Sequence, residues 1–237
     1  IGCGTQYSIA MGRCDRRRAR EYFTQALWSV LIFGGGLALT LCFGRDVFLA
    51  FMGADAESTA AASRYLAWAW PQAFLDGLLM LLISLGYADG DSRLCSLAYA
   101  VVFIGNFAVS IAGVSLGMGI AGCAFGSVVS ETAGVLVMCV HFLRKSNSFA
   151  PVRHFSLADS TRIFAASFGD AAAFLCDGLL FFFLNKYVIM NFGSDVLPVV
   201  GVAVALWGFL EFFNGIGVAI QPIVTVYYGE GNMKSVR

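Results

Sequence analysis

Residues 94–142 read LCSLAYAVVFIGNFAVSIAGVSLGMGIAGCAFGSVVSETAGVLVMCVHF, and they contain two apolar runs, 94–118 and 120–142, that meet at Gly119. A helix needs about 20 predominantly apolar residues to cross the hydrocarbon core of a bilayer. Each run is long enough for one crossing, and the single glycine between them allows only a tight turn. The stretch therefore predicts two consecutive transmembrane helices.

The composition of the whole chain also indicates a membrane protein. Of its 237 residues, 59% are hydrophobic and 13% are charged, and the mean hydropathy is +0.77. Soluble domains carry roughly 25% charged residues, so a soluble domain with a single core is excluded. Residues 1–12 fit the last turns of another helix. Together with the central pair, the remaining apolar runs predict an all-α, polytopic bundle with six spans, the other four being 23–43, 65–87, 163–190 and 197–228.

The basic residues support this assignment of spans. Cytoplasmic loops of membrane proteins are enriched in Lys and Arg. When alternate loops are placed on alternate sides, 12 of the 15 basic residues fall on one side, five of them within residues 13–20. This side is predicted to face the cytoplasm. The protein is therefore expected to cross the cytoplasmic (inner) membrane several times.

Five acidic residues fall inside the predicted spans: Asp76, Glu131, Asp170, Asp177 and Glu211. An ionised carboxylate at the centre of a membrane helix costs roughly 2.5–3.5 kcal/mol on insertion scales. Such residues are enriched on ion and substrate paths, although a hydrogen-bonded carboxyl group can also fasten two helices together. Asp170 and Asp177 are two helical turns apart and can line one cavity, which Glu211 can meet from the next span.

Three further residues of the spans are candidates for helix packing or cavity lining: Asn106, Gln221 and Pro222. Asn106 can hydrogen-bond across helices or bind a substrate. Pro222 can kink its helix next to a cavity, or it can be a tolerated membrane proline.

Several kinds of site find no support in the sequence. The seven cysteines contain no C-x-x-C pair and lie mostly in apolar runs, so neither a disulfide framework nor a metal site is expected. Two histidines are too few for a histidine-ligated metal centre. The absence of a G-x-x-x-x-G-K-[ST] motif argues against ATP as the energy source. The net charge of zero gives no indication of nucleic acid as a partner.

The two ends of the chain resemble each other at an offset of 217 residues. Residues 12–15 (GRCD) fall on residues 229–232 (GEGN), and in both places an apolar helix runs out into a basic stretch. Six predicted spans separate the copies, so both leave the membrane on the same face and the repeats are parallel. The pattern predicts a transporter with two lobes of about six helices each, of which this chain is expected to be a fragment.

The stretch 217–237, GVAIQPIVTVYYGEGNMKSVR, resembles the eighth helix and following loop of the multidrug and toxic compound extrusion (MATE) transporters, within the polysaccharide and lipid flippase superfamily. Residues 8–12 with Asp15 resemble the end of that family's second helix, and residues 117–124 resemble the turn into its sixth. The resemblance implies the following division: residues 1–142 as the remainder of the N-terminal lobe, 143–160 as a cytoplasmic inter-lobe linker, and 161–237 as the start of the C-terminal lobe.

The resemblance also implies a function. It implies an antiporter, coupled to H⁺ or Na⁺, that exports small organic or drug-like compounds by alternating access. No cofactor beyond the coupling ion is expected; the partners are the lipid bilayer and the substrate, and the full-length protein is expected to be a monomer. Relatives often carry a Glu in helix 7 at the position aligned with Phe174, and Asp177, one turn away, is the candidate substitute.

Two other functions stay open. A lipid-linked saccharide flippase of the same superfamily would be expected to have a cationic cavity, whereas the spans offer acids. An intramembrane enzyme could use Asp76 with Glu131 as a catalytic pair, or Asp170 with Asp177. No recognisable catalytic motif surrounds either pair, so no enzymatic activity is expected.

Overall fold

The computed structural model describes residues 2–52, 56–144, 147–153, 155–210 and 212–236, which form helices and turns without a β-strand among them. The predicted all-α fold class is therefore confirmed. Along the described chain the α-helices are α1 Gly2–Gly12, α2 Arg16–Ser29, α3 Gly35–Met52, α4 Ala56–Ala69, α5 Gln72–Ala88, α6 Ser92–Gly113, α7 Ile120–Cys139, α8 Leu157–Phe192, α9 Leu197–Leu210, α10 Phe212–Gly229 and α11 Met233–Val236.

Most of the predicted spans correspond to long apolar helices. Among the described residues, four helical segments are long and apolar enough to cross a membrane: Arg16–Ala50, Ser92–Met118, Ile120–Leu143 and Leu157–Phe192. The bent pair α4 and α5 adds a fifth if it counts as one span. The sixth predicted span contains α9 and α10, with residue 211 outside the described residues, and it stays a prediction. The chain is thus a multi-pass membrane protein.

The predicted span 65–87 is not one continuous helix. Its segments Thr59–Ala69 and Gln72–Ala88 are inclined to each other by 45°. Pro71 lies at the break, because proline has no N–H to donate and its ring clashes with the carbonyl group four residues earlier. Helical bonding restarts where the amide of Phe74 donates to the carbonyl oxygen of Pro71 at 3.1 Å. The break therefore places a helix N-terminus inside a predicted span.

The hairpin of α6 and α7 depends on glycine. Gly117 and Gly119 have φ angles of 87° and 58°, which side chains of L-residues rarely adopt. Next to the turn, the backbones of α6 and α7 touch, since a Cβ added at Gly122 would lie 2.7 Å from the carbonyl carbon of Gly113. The two helices predicted from residues 94–142 are thereby confirmed as a closely packed pair.

The best-buried part of the chain surrounds α1, which contacts α2, α5, α8 and α10. Tyr7 is fully buried there, together with side chains from four other parts of the chain: Phe23, Leu85, Met138 and Phe149. Large apolar side chains along the spans are exposed instead, Phe103 at 79% for example. The packed core therefore lies at the end predicted to be cytoplasmic, and the apolar exterior suits contact with lipid.

The repeat predicted at an offset of 217 residues is present in the backbone. At the end of α1, the amide of Arg13 donates to the carbonyl oxygen of Ile9 at 3.1 Å. At the end of α10, the amide of Glu230 donates to Val226 at 2.9 Å. The next two amides of each copy also make equivalent hydrogen bonds. Both helices thus end in the same Schellman motif.

The repeat continues into the residues that follow each helix. Cys14 and Gly231, which occupy equivalent positions, both have a positive φ angle, 58° and 75°. The side chain of Asp15 accepts a hydrogen bond from the amide of Arg18 at 3.0 Å. In the second copy, the side chain of Asn232 accepts a hydrogen bond from the amide of Ser235 at 3.3 Å. These are equivalent N-caps for α2 and α11. The similarity of sequence therefore coincides with a similar local structure at the two helix ends, although the end of α5 shows the same hydrogen-bonded turn.

The two copies touch each other through their glycines. A Cβ added at Gly12 would lie 3.1 Å from the Cα atom of Gly229 and would overlap the carbonyl oxygen of Val226. A Cβ added at Gly229 would lie 2.5 Å from the carbonyl oxygen of Ile9. Since Val226 is the counterpart of Ile9, the contact is reciprocal, as it is between units related by an approximate two-fold axis.

Replacing Gly12 with alanine is expected to destabilise the protein, because the added methyl group overlaps backbone that cannot move aside. Overpacking of this kind costs about 1–3 kcal/mol. Thermal unfolding of the natural full-length protein in detergent measures the effect as a lower transition temperature. Gly35→Ala is the matched control, since among the described residues nothing lies within 4 Å of a Cβ added there. Equal transition temperatures for Gly12→Ala and the wild type would contradict the contact.

Candidate functional site

Two of the intramembrane acids come together in the first half of the chain. Asp76 lies on α5 and Glu131 on α7, and these two helices pack against each other. Gln72, the first residue of α5 after the break at Pro71, hydrogen-bonds to the Glu131 carboxyl group. Gln72 and Asp76 are four residues apart and therefore share one face of α5. The bend thus assembles an amide and two carboxyl groups inside the predicted spans.

Glu131 is the acid of this group that is best shielded from solvent. Its side chain is buried, and its Oε2 atom has no hydrogen-bond partner within the part of the chain that the structure describes. Leaving a buried carboxyl oxygen unpaired is costly. The unpaired oxygen, buried between predicted spans, makes Glu131 a candidate for binding a proton or a cation.

A cavity of about 460 Å³, a volume within the range of small-molecule sites, lies beside this group between α4, α6 and α7. Asn106 lines it and donates to the hydroxyl group of Ser127 at 2.8 Å, so this residue both packs helices and lines a cavity. The full lining is Tyr65, Asn106, Phe107, Ser110, Ile111, Val114, Ser115, Cys123 and Ser127.

The cavity and the acid group are connected through one face of α7. Cys123, Ser127 and Glu131 follow one another at intervals of four residues and therefore form a stripe along the helix. The first two line the cavity, and the third lies one turn further. On the opposite wall, Val114 and Ser115 belong to a π-helical turn, Val114–Met118, a feature that is frequent at functional sites. The arrangement offers an uncharged binding space next to a titratable group.

The acids of the second half of the chain are placed differently. Asp177 lies in a cavity of about 260 Å³ between α8 and α9, where the other lining residues are apolar. Asp170 is exposed and is not among the residues that line this cavity. Glu211 lies outside the described residues. The structure thus places Asp76 and Glu131 on two helices that pack against each other, whereas a cavity shared by Asp170 and Asp177 stays a prediction.

Gln221 and Pro222 lie in α10, which continues past the proline to Gly229. The side-chain amide of Gln221 donates to the hydroxyl group of Thr5 on α1 at 3.2 Å. The hydroxyl group of Thr225 donates to the carbonyl oxygens of Gln221 and Pro222, at 2.9 and 3.0 Å. Gln221 therefore joins the two repeats about two turns away from the contact of their glycines.

A buried ionic cluster at the end predicted to be cytoplasmic was not anticipated from the sequence. His141 is fully buried, with Nδ1 2.8 Å from Oδ2 of Asp91 and Nε2 3.0 Å from Oδ2 of Asp89. Each ring nitrogen of His141 therefore lies within hydrogen-bonding distance of a buried carboxylate oxygen.

The remaining carboxylate oxygens of this cluster are also paired. The hydroxyl group of Tyr7 donates to Oδ1 of Asp89 at 2.7 Å, and Arg144 donates to Oδ1 of Asp91 at 2.6 Å. The amide of Ser148 donates to Asp89 at 2.9 Å. The cluster therefore joins α1, the turn between α5 and α6, the end of α7, and the segment that follows α7. No spacing rule pairs residues 50 positions apart, so the sequence alone could not reveal it.

The segment between α7 and α8 is held against α2 by further contacts. The ring of Phe149 stacks on Phe23 with centroids 5.2 Å apart. The amide of Val152 donates to the hydroxyl group of Thr24 at 2.9 Å. The amide of Ser156, just before α8, donates to the side-chain oxygen of Gln25 at 3.1 Å. The first turn of α8 lies within the predicted linker 143–160. This linker is thus packed on the first half of the chain along most of its described length.

The comparisons with known proteins agree with this architecture. Residues 1–111 match the protein-family model described as MatE. No curated protein sequence matches the chain.

Several solved structures share the fold. One is the outward-facing conformation of a multidrug resistance MATE family transporter of the MOP superfamily. It is 20% identical in sequence and has a TM-score of 0.81, and the match covers 99% of this chain and 53% of the transporter's chain. A MATE in complex with MaL6 is 21% identical and has a TM-score of 0.82, and the match covers 99% of this chain and 54% of that MATE chain. A third is a MOP superfamily transporter from Pyrococcus furiosus that is described as having a binding pocket of reverse polarity. It is 22% identical and has a TM-score of 0.76, and the match covers 99% of this chain and 53% of the Pyrococcus chain.

These matches confirm the MATE-like fold and the resemblance found in the sequence. The chain spans about half the length of the structures that it matches.

Replacing His141 with alanine is expected to loosen the linker, because it leaves Asp89 and Asp91 buried without their shared partner. Breaking a buried ion pair in this way costs about 3–5 kcal/mol. Limited trypsin cleavage after Arg153 in the full-length protein should become faster, and the thermal transition should fall. Asp46→Asn, which removes a charge that is 87% exposed, is the control. Wild-type cleavage rates in His141→Ala would show that the cluster does not hold the linker.

Proposed function

We propose that this chain, which has the fold of MATE transporters and matches the MatE family model over residues 1–111, forms part of a cation-coupled antiporter. In this proposal the full-length protein takes up H⁺ or Na⁺ and exports small organic or drug-like compounds across the cytoplasmic (inner) membrane by alternating access. The observation that carries the proposal is the buried, unpaired carboxyl oxygen of Glu131 beside an uncharged cavity.

The coupling ion would bind at Glu131. Carboxyl and amide oxygens from Glu131, Asp76 and Gln72 are suitable ligands for Na⁺, and either carboxyl group can carry a proton. An ion bound here offsets the cost of an unpaired carboxyl oxygen in an apolar environment. Its release would leave a negative charge one helical turn from the cavity. A cationic or amphipathic compound is favoured in the cavity at that stage, which is the reciprocity that antiport requires.

The cavity lining fits compounds that are partly aromatic. Tyr65 and Phe107 offer ring faces, while Asn106, Ser110 and Ser127 offer hydrogen-bonding groups. Small-molecule sites commonly combine an apolar wall with a few polar groups of this kind. We propose the division implied by the resemblance for the rest of the chain: residues 1–142 in the N-terminal lobe, 143–160 as the linker, and 161–237 in the C-terminal lobe.

The alternatives receive less support. Among the described residues, no Lys or Arg lines the cavity beside Glu131 or the one around Asp177, whereas a lipid-linked saccharide flippase would need a cationic cavity. The similar solved structures with printed functions are transporters, which favours transport over an intramembrane enzyme.

Glu131→Gln in the full-length protein tests the proposed coupling site. The amide keeps the shape of the side chain but can neither ionise nor carry the transported proton, so we expect ion-driven efflux to fall at least about tenfold, or 1.4 kcal/mol. Efflux of a fluorescent cationic dye from cells is the measurement. Glu230→Gln makes the same chemical change at an exposed position and should transport normally. Wild-type efflux and wild-type pH dependence in Glu131→Gln would exclude this residue as the coupling site.

Asp177→Asn tests whether the second cavity takes part as well. If this acid substitutes for the helix 7 glutamate of relatives, the variant should show reduced efflux and an altered pH dependence. Asp195→Asn, at an exposed position between α8 and α9, serves as the control. If efflux and its pH dependence are both unchanged in Asp177→Asn, that role is excluded.

A further inference from the structure

A third cavity, with a different chemistry, lies outside the predicted spans, between the start of α2 and the linker. Its volume is about 320 Å³. Three of its five lining residues are arginines, and they come from two separate parts of the chain. The lining consists of Arg17, Arg20, Glu21, Val152 and Arg153.

The positive charge of this cavity is only partly neutralised from within. Glu21 is the single acid of the lining, and its two oxygens already accept hydrogen bonds from Arg17 at 3.1 Å and from Arg18 at 2.9 Å. Arg20 and Arg153 make no ion pair with Glu21 in the described structure. Two guanidinium groups therefore face the same space without a dedicated counter-charge.

Arg20 carries a second sign of a missing acceptor. Its Nε atom is buried and has no hydrogen-bond partner within the described chain. A guanidinium group has five N–H donors and no acceptor, so the unpaired Nε–H needs an oxygen atom from elsewhere. A buried donor without an acceptor costs roughly 1–3 kcal/mol.

The helix itself adds to the positive potential. Arg16, Arg17 and Arg18 occupy the first turn of α2, and that turn contains no acidic residue. The N-terminus of a helix carries a partial positive charge of roughly half a unit, which adds to the charge of the arginines. Arg17 and Arg18 are paired with Glu21, and Arg18 is also paired with Asp159 at 3.3 Å. Asp15 caps the helix by accepting from the amide of Arg18, and its side chain lies outside the cavity lining.

We propose that this cavity binds a phosphate group, which Arg20 and Arg153 hold from opposite sides. Guanidinium groups bind phosphate through paired, charge-assisted hydrogen bonds. The headgroup of an anionic phospholipid in the cytoplasmic leaflet and free inorganic phosphate share this chemistry. The position favours the lipid, because α2 continues directly from the arginines into exposed apolar residues such as Trp28, at 49%, and Ile32, at 56%. A bound phosphate would join α2 to the linker.

The test measures binding of phosphatidylglycerol to the purified full-length protein in a non-ionic detergent, with phosphatidylcholine as the zwitterionic comparison. We expect the wild type to bind phosphatidylglycerol at least about tenfold more tightly. The double variant Arg20→Gln/Arg153→Gln should lose this preference. Arg13→Gln, which removes an exposed cytoplasmic arginine that does not line the cavity, should keep it within about twofold.

A competition arm identifies the source of the phosphate group. If inorganic phosphate displaces phosphatidylglycerol from the wild type, the site recognises phosphate itself, and if it does not, the site requires the lipid headgroup; both results support the proposal.

Should the double variant fail to fold, Arg153→Gln alone is informative, since this residue lies exposed in the linker, and it should weaken binding several-fold. Wild-type preference in the double variant, or an equal loss in Arg13→Gln, would overturn the proposal. The assay involves no transport, so its outcome is independent of the proposed function.

Discussion

The backbone contact between Gly12 and Gly229 is the interaction on which the arrangement of the two repeats depends. Because neither residue has a side chain, α1 and α10 approach until the backbone of each touches the backbone of the other. Each helix ends immediately afterwards in the same hydrogen-bonded turn, which directs the chain away from the contact. Gln221 and Thr5 add a hydrogen bond about two turns earlier. A larger residue at either glycine would separate the helices and move every element packed on α1.

Around this contact the structure changes character from one end to the other. At the end predicted to be cytoplasmic, His141 and its partners are fully paired, and the linker is packed against α2. Within the predicted spans there are a cavity beside Asn106 and an unpaired carboxyl oxygen on Glu131, and the packed end also holds a buried donor without a partner, Nε of Arg20. Buried polar groups that are fully satisfied specify one arrangement, whereas an unpaired buried group is costly. In the proposed antiporter, the packed end would hold the incomplete polar site around Glu131 in place.

Much of this fold follows from the sequence because it depends on local patterns. Apolar runs set the spans, and the repeated turn shows in short segments that share residue types. The pairing of the acids depends instead on tertiary structure: Pro71 bends its span, and only then does Gln72 reach Glu131. Spacing alone favoured Asp170 with Asp177, since a shared helix face is necessary for a shared cavity but does not show what lies opposite. The cluster around His141 gave no periodic signal for the same reason.

The central claim is that transport is coupled to an ion gradient. The most direct measurement reconstitutes the full-length protein in liposomes and records export of a cationic dye while an H⁺ or Na⁺ gradient is imposed in the opposite direction. We predict dye export that requires one of the two gradients and is accompanied by counterflow of that ion. Dye movement that is the same with and without either gradient, and the same as in liposomes without protein, would contradict it.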